Sequence, residues 1–186
     1  GIEDVEKRLG NLKSKAPLVV ARAINRATTN AKKNMAKETS GKYFVSSGDV
    51  KKTITVTKAT KSSLKAAVIS NGTGIALSKF KVSPGTPVRY RGKNRSPKVY
   101  KAGVEQAGGV KPLDGDPKSF IAIMKSGHKG VFTRTSGRSL PIKQLYGPSV
   151  PQMIKNEKIM KAINDDANET LQKRIDAEIA NLLRKG

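Results

Sequence analysis

The stretch NEKIMKAINDDANETLQKRIDAEIANLLR, residues 156–184, decides the fold. Ile159, Ile163, Ala167, Leu171, Ile175 and Ile179 recur every fourth residue, and Leu182 and Leu183 finish the stripe. That recurrence keeps apolar side chains on one helical face and predicts a single long amphipathic helix over 156–184. The other face carries Asp165, Asp166, Glu169, Lys173, Arg174 and Glu178, so its charge is nearly balanced. Asp165 and Asp166 are adjacent on that helix and point apart, which argues against a carboxylate dyad.

Immediately upstream lies SLPIKQLYGPSVPQMI, residues 139–154, with three prolines and a glycine among apolar residues. Proline fixes φ and removes a backbone donor, so this segment is excluded from a central strand or a helix interior. It reads as an ordered connector with apolar anchors. Leu140, Pro141, Ile142, Leu145, Tyr146, Gly147, Pro148, Val150 and Pro151 are its candidate subunit-docking residues. A rigid apolar segment has part of its ordering entropy removed in advance and can bury against its own core or a neighbour.

Towards the N-terminus, Ile2, Val5, Leu9 and Leu12 mark one face of a short helix, with Asp4 and Glu6 where the helix dipole favours anions. Pro17 suits the first turn of a second helix, predicted over 15–38 with Gly41 marking its end. Its apolar face is Val20, Ile24, Ala27, Ala31 and Met35, and its opposite face is Arg22, Arg26, Lys33 and Lys37. The period then changes to two. KKTITVTK and LKAAVIS read as strands, with Asn71-Gly72 a turn after the second. Residues 75–82 are expected to form a third. SFIAIM and GVFTR form a hairpin turning at residues 126–129. These elements predict a single α+β domain over 1–186. A mostly antiparallel sheet over 50–135 is flanked by N-terminal helices and the long C-terminal helix.

Charge is the strongest compositional signal. Lys and Arg number 37 against 14 Asp and Glu, a net charge of +23, which points to a polyanion or an acidic protein as partner. The excess is local. No acid occurs between Asp49 and Glu105, while thirteen cations do. The segment 82–101 holds Pro84, Pro87 and Pro97 and reads as a protruding basic arm. Its candidate contacts to DNA or an acidic partner are Arg89, Arg91, Lys93, Arg95, Lys98 and Lys101, with Tyr90 available to stack on a base. The residues do not choose between nucleic acid and acidic protein. Aromatic residues are only 4% of the chain, a lean core for 186 residues, which fits arms and anchors ordered by neighbours.

Catalytic chemistry finds no footing. There is no cysteine, which removes disulfides, thiolate metal sites and cysteine catalysis. His128 is the sole histidine and sits in a turn, SGHKG, which leaves no triad or paired-histidine metal site. Asp114 and Asp116 begin like a calcium loop but lack its remaining ligands. The glycines of NGTG are not followed by the lysine of a phosphate loop. The expectation is a non-enzyme with no cofactor, metal or small-molecule substrate. No apolar run approaches a membrane span, and GIEDVEKRLG lacks the pattern of a signal peptide. Gly1 in place of Met points to processing or trimming.

SGHKGVFTRTSGRSLPIKQLYGPSVPQMI, residues 126–154, resembles the signature of the prophage minor tail protein Z family. The matching positions are Gly127, His128, Val131, Phe132, Arg134, Leu140, Pro141, Ile142, Gly147, Pro148, Ser149, Val150 and Pro151. Ala23, Ile24, Asn25 and Arg26 resemble the family's Ala-Ile-Asn-Arg helix, and GIAL, residues 74–77, stands where the family has Arg-Ile-Pro-Leu. The resemblance implies a structural tail-completion protein at the head-proximal end of a long phage tail, in the virion after synthesis in the host cytoplasm. It also implies a ring of about six copies, contacts with other tail and neck proteins, a part in head–tail joining, and placement of the phage DNA end. The other reading of the same charge is a non-specific DNA-binding or DNA-packaging accessory protein.

Overall fold

The computed structural model describes residues 1–88 and 99–185. In chain order the elements are α1 (Ile2–Leu9), a 3-10 turn (Gly10–Lys15), α2 (Ala16–Lys42), α3 (Ser47–Lys52), β1 (Ile54–Thr57), β2 (Ala67–Ser70) and a short 3-10 turn (Leu77–Lys79). There follow β3 (Lys81–Ser83), β4 (Lys101–Gly103), β5 (Lys111–Pro112), β6 (Phe120–Ile123), β7 (Lys129–Arg134), β8 (Ile142–Gln144), α4 (Val150–Ile154) and α5 (Glu157–Lys185). The class is α+β. The expected sheet is three small antiparallel ones, β1-β2, β3-β4-β5 and β6-β7-β8. The chain divides into two compact units, a helical one (Gly1–Glu38, Gly48–Asn71, Ile154–Gly186) and a sheet one (Thr39–Ser47, Gly72–Met153).

In the helical unit the apolar stripes of α1 and α5 meet the start of α2, where Ala16 and Val19 lie outside the stripe read from the sequence. Val5 and Leu9 of α1, Ala16 and Val19 of α2 and Ile179 of α5 form a buried cluster, with Ile2, Leu12, Val20, Ile175 and Leu182 packed around it. Two ion pairs lie over it, Arg8–Asp176 at 2.8 Å and Arg22–Glu178 at 3.3 Å. Both are exposed, so each adds well under about 1 kcal/mol, and the apolar burial holds the helices. Farther along, the Asn30 amide of α2 donates to Asp166 Oδ2 and to Thr170 Oγ1 of α5, each at 2.9 Å. The Asn34 amide also donates to Asp166.

The β1-β2 hairpin is joined to α2 by side chains rather than by a ladder. Asn25 Oδ1 accepts the Ala59 N–H at 2.8 Å and Asn25 Nδ2 donates to the Ala59 carbonyl at 2.9 Å. One amide thus satisfies both backbone groups of a residue that is 5% exposed. Lys32 Nζ donates to the Ile54 carbonyl at 2.8 Å. Asn25→Ala is expected to cost about 2 kcal/mol, because it strands two buried polar groups of Ala59. Chemical denaturation beside an Arg26→Ala control measures this, Arg26 being exposed.

In the sheet unit β7 is the central strand of β6-β7-β8, with Ile121, Val131 and Phe132 buried. The β6-β7 hairpin turns where the sequence predicts, and Gly127 takes φ +81° there, a conformation that side-chain-bearing residues rarely adopt. The 75–82 stretch is not one strand. Leu77 and Phe80 are both buried and stand three residues apart, which suits a turn and not the two-residue period of a strand. Accordingly the Phe80 N–H donates to the Leu77 carbonyl, and extended backbone resumes only at Lys81.

Helix α2 passes through Gly41 to Lys42, one turn beyond Glu38. Residues 39–42 belong to the sheet unit, and their partners within that unit explain the extension. The Gln106 N–H donates to the Lys42 carbonyl and its side-chain amide to the Ser40 carbonyl, both at 2.8 Å. Capping the last carbonyls from outside the helix offsets the roughly 1 kcal/mol that a helical glycine costs. Tyr43 beside it bridges to Glu105. Burial, then the Glu105 charge and its hydrogen bond, raise the Tyr43 phenol above its ordinary pKa.

Candidate interaction surfaces

The proline-rich segment is locked into the sheet unit at several points. β8 pairs antiparallel with β7, Gln144 opposite Phe132 and Ile142 opposite Arg134, as the edge strand of its sheet. An edge is where a proline-flanked strand is tolerated. The Leu145 N–H then donates to the Val131 carbonyl at 2.8 Å, while the Leu145 carbonyl accepts from the Leu77 N–H at 2.9 Å. The Gly147 N–H donates to the Ile75 carbonyl at 2.8 Å. Gly147 crosses so close to the Phe80 ring that an added Cβ would stand 2.7 Å from it.

Ser149 follows as the N-cap of α4. Its Oγ faces the Gln152 N–H at 3.4 Å, and Gln152 Oε1 accepts from the Ser149 N–H at 2.8 Å. This reciprocal pair is a capping box, and Pro151 lies in the first helical turn, where a missing N–H costs nothing. Gly-Pro-Ser-Val-Pro is therefore a device for stopping an extended segment and starting a helix within a few residues.

The nine candidate docking residues fall into two groups. Val150 is buried, and Ile142, Leu145, Gly147, Pro148 and Pro151 are half-buried within the fold. Leu140, Pro141 and Tyr146 face outward, with Leu140 at 67% and Tyr146 at 61% exposure. Two large apolar side chains held out by a clamped backbone are available to another surface.

Of the candidate basic-arm contacts, Arg89, Arg91, Lys93, Arg95 and Lys98 lie outside the described residues. Lys101 is exposed at the start of β4, opposite Ser83 on one side and Pro112 on the other. Ser83–Lys101 is the end pair of the β3-β4 ladder. The Val88 N–H donates to Tyr100 Oη at 3.3 Å. The sheet unit as a whole has only Glu105, Asp114 and Asp116 as acids against sixteen Lys and Arg, so its field is strongly positive.

His128 is exposed in the β6-β7 turn, its Nε2 3.1 Å from Gln144 Oε1. Asp114 and Asp116 are exposed. Among the described residues no group of three or more acidic or histidine side chains could hold a metal. No described helix is long and apolar enough to cross a membrane.

One surface was not legible in the sequence. Within the helical unit, Arg26 and Lys33 of α2 face Lys173 and Arg174 of α5 across a cleft of about 480 Å³, lined otherwise by Thr29, Asn30 and Thr170. The helical period gives the α2 cations one face, but nothing local says which α5 residues stand opposite.

Compared with known protein families, residues 1–185 match the family described as prophage minor tail protein Z (GPZ). No curated protein matches the chain. No solved structure matches it either.

Proposed function

The chain belongs to the prophage minor tail protein Z family, a family of structural phage tail proteins, and from that premise we propose that it completes the tail at its head-proximal end. In this reading about six copies form a ring by the rotational symmetry of the tail. The ring contacts other tail and neck proteins, helps join head to tail, and positions the DNA end. The chain acts by binding, not by catalysis. The whole 1–186 chain, its sheet unit and its C-terminal helix included, serves as one tail-completion module.

The observation that carries this reading is the clamped 139–154 segment. A backbone fixed by the Leu145 and Gly147 hydrogen bonds around Tyr146, and by the Pro141 carbonyl accepting from the Thr135 N–H beside Leu140, holds both side chains in solvent, which suits subunit docking. Exposed apolar side chains on a preorganised backbone lose little entropy when a neighbour covers them. The positive field of the sheet unit supports a role near DNA or acidic ring proteins.

Quantitative mass spectrometry of purified tails and of complete particles tests the proposal. A fixed copy number in both, near about six, is the expected result. Absence from finished particles would overturn it, and the cationic surfaces would then belong to a transient assembly or packaging factor.

A further inference from the structure

The α2–α5 cleft of the helical unit joins four cations to Thr29, Asn30 and Thr170. Arg26, Lys33 and Arg174 have no carboxylate partner among the described residues and are exposed. Lys173 is paired with Glu169 at 2.5 Å, an exposed pair one helical turn apart. Their contact raises the Lys173 pKa and lowers that of Glu169, so both are charged at neutral pH. The nearby acid Asp166 does not line the cleft, and its carboxylate is engaged by the Asn30 and Asn34 amides. Thr170 Oγ1 accepts from Asn30, which leaves its own hydrogen free to donate.

This chemistry selects a partner class. A protein partner of ordinary kind would bring an apolar centre, and interface centres are depleted in charge. Here the lining has no Leu, Ile, Val, Met or aromatic side chain, and its polar ends belong to Arg, Lys, Thr and Asn, the side chains that contact phosphate and sugar oxygens. Arg26 and Lys33 are seven residues apart on one helix, about 10 Å along its axis. One strand of a DNA duplex carries about three phosphates over that distance. The cleft presents its cations on two walls, which suits a backbone lying along it.

We propose that the α2–α5 cleft binds the sugar–phosphate backbone of double-stranded DNA without sequence preference. The proposal rests on reading the chain as a tail protein that positions DNA, and it assigns that task a site separate from the basic segment 82–101. Arg26, Lys33 and Arg174 bind phosphate directly. Glu169 restrains Lys173 and sets how much of its charge reaches the cleft.

The test is fluorescence anisotropy of a labelled duplex of arbitrary sequence, titrated with the full chain over a salt series. Three proteins are compared with the unmodified one. The first is Arg26→Gln with Lys33→Gln and Arg174→Gln. The second is Lys58→Gln with Lys61→Gln and Lys65→Gln, which removes equal charge from exposed positions of the same unit. The third is Glu169→Gln. The cleft variant is expected to bind at least about 30-fold more weakly near physiological salt and to lower the salt slope by about 2 to 3. The control variant is expected to change affinity by less than about threefold, and Glu169→Gln to tighten binding by about twofold to threefold. Unchanged melting curves establish that each variant folds.

Equal losses in the cleft and control variants would overturn the proposal, since net charge alone would then explain binding. Unchanged duplex binding by the cleft variant, with loss of binding to polyglutamate, would assign the cleft to an acidic protein instead. The same variants are scored for incorporation into tails. Lost duplex binding with normal incorporation supports the cleft as a DNA site, while equal losses with normal incorporation sink the cleft alone. Absence of the unmodified chain from tails sinks the tail reading, whatever its affinity for DNA.

Discussion

Leu9→Ala is expected to lower stability by about 3 kcal/mol. Leu9 is 1% exposed, at the centre of the cluster formed by Val5, Ala16, Val19 and Ile179. Removing its branched end deletes contacts with three helices at once. The space cannot close easily, because the side chains around it, Val5, Ala16, Val19 and Ile179, are themselves buried and come from three packed helices. For a chain of this size the loss corresponds to a melting midpoint roughly 6 to 12 °C lower. Leu183→Ala provides the comparison, since Leu183 is 52% exposed. That change is expected to stay within about 0.5 kcal/mol. Thermal unfolding followed by circular dichroism distinguishes the two. A Leu9→Ala midpoint no lower than that of Leu183→Ala would show that this cluster does not limit stability.

Gly147→Ala is expected to cost about 1 to 3 kcal/mol and to reduce incorporation into tails. The new methyl group would stand 2.7 and 3.1 Å from atoms of the Phe80 ring, which is 6% exposed and has little room to swing. Relief requires the 145–147 backbone to retreat, which strains the Gly147–Ile75 and Leu77–Leu145 hydrogen bonds. Tyr146, between them, then loses its fixed direction. Phe80→Leu added to Gly147→Ala makes room for the methyl group and is expected to recover part of both losses. A Gly147→Ala protein with unchanged stability and normal incorporation would show that the crossing is loose and that the segment is only a linker.

Helices α1, α2 and α5 were the legible part of this chain, whereas α3 was not, since Lys51 and Lys52 read as the start of a strand. The fourfold recurrence from Ile159 to Ile179 depends only on helix geometry, and α5 follows it from Glu157 to Lys185. The β6-β7 hairpin was legible for a similar reason, because glycine and polar residues in the turn separate two apolar runs. The 75–82 stretch was not, since a buried Leu77 and Phe80 three residues apart acquire meaning only against the Leu145 carbonyl and Gly147. The end of α2 was misplaced at Glu38 because the groups that cap it come from Gln106, far along the chain. Among the candidate contacts, Leu140 and Val150 looked alike as apolar residues beside prolines. Only packing separates one that is 67% exposed from one that is 1% exposed.

By itself the sequence determined helices α1, α2 and α5, the α+β class, the excess of positive charge and the family resemblance, because each depends on residue type and short spacing along the chain. The tertiary structure alone decided that the strands divide into three sheets, that the proline segment becomes an edge strand and a capped helix, and which docking residues face outward. It also brought Arg26 and Lys33 opposite Lys173 and Arg174. Those outcomes depend on pairings between residues far apart in sequence, and a pairing of that kind forms only when burial and hydrogen bonding across the fold offset the entropy of bringing the partners together.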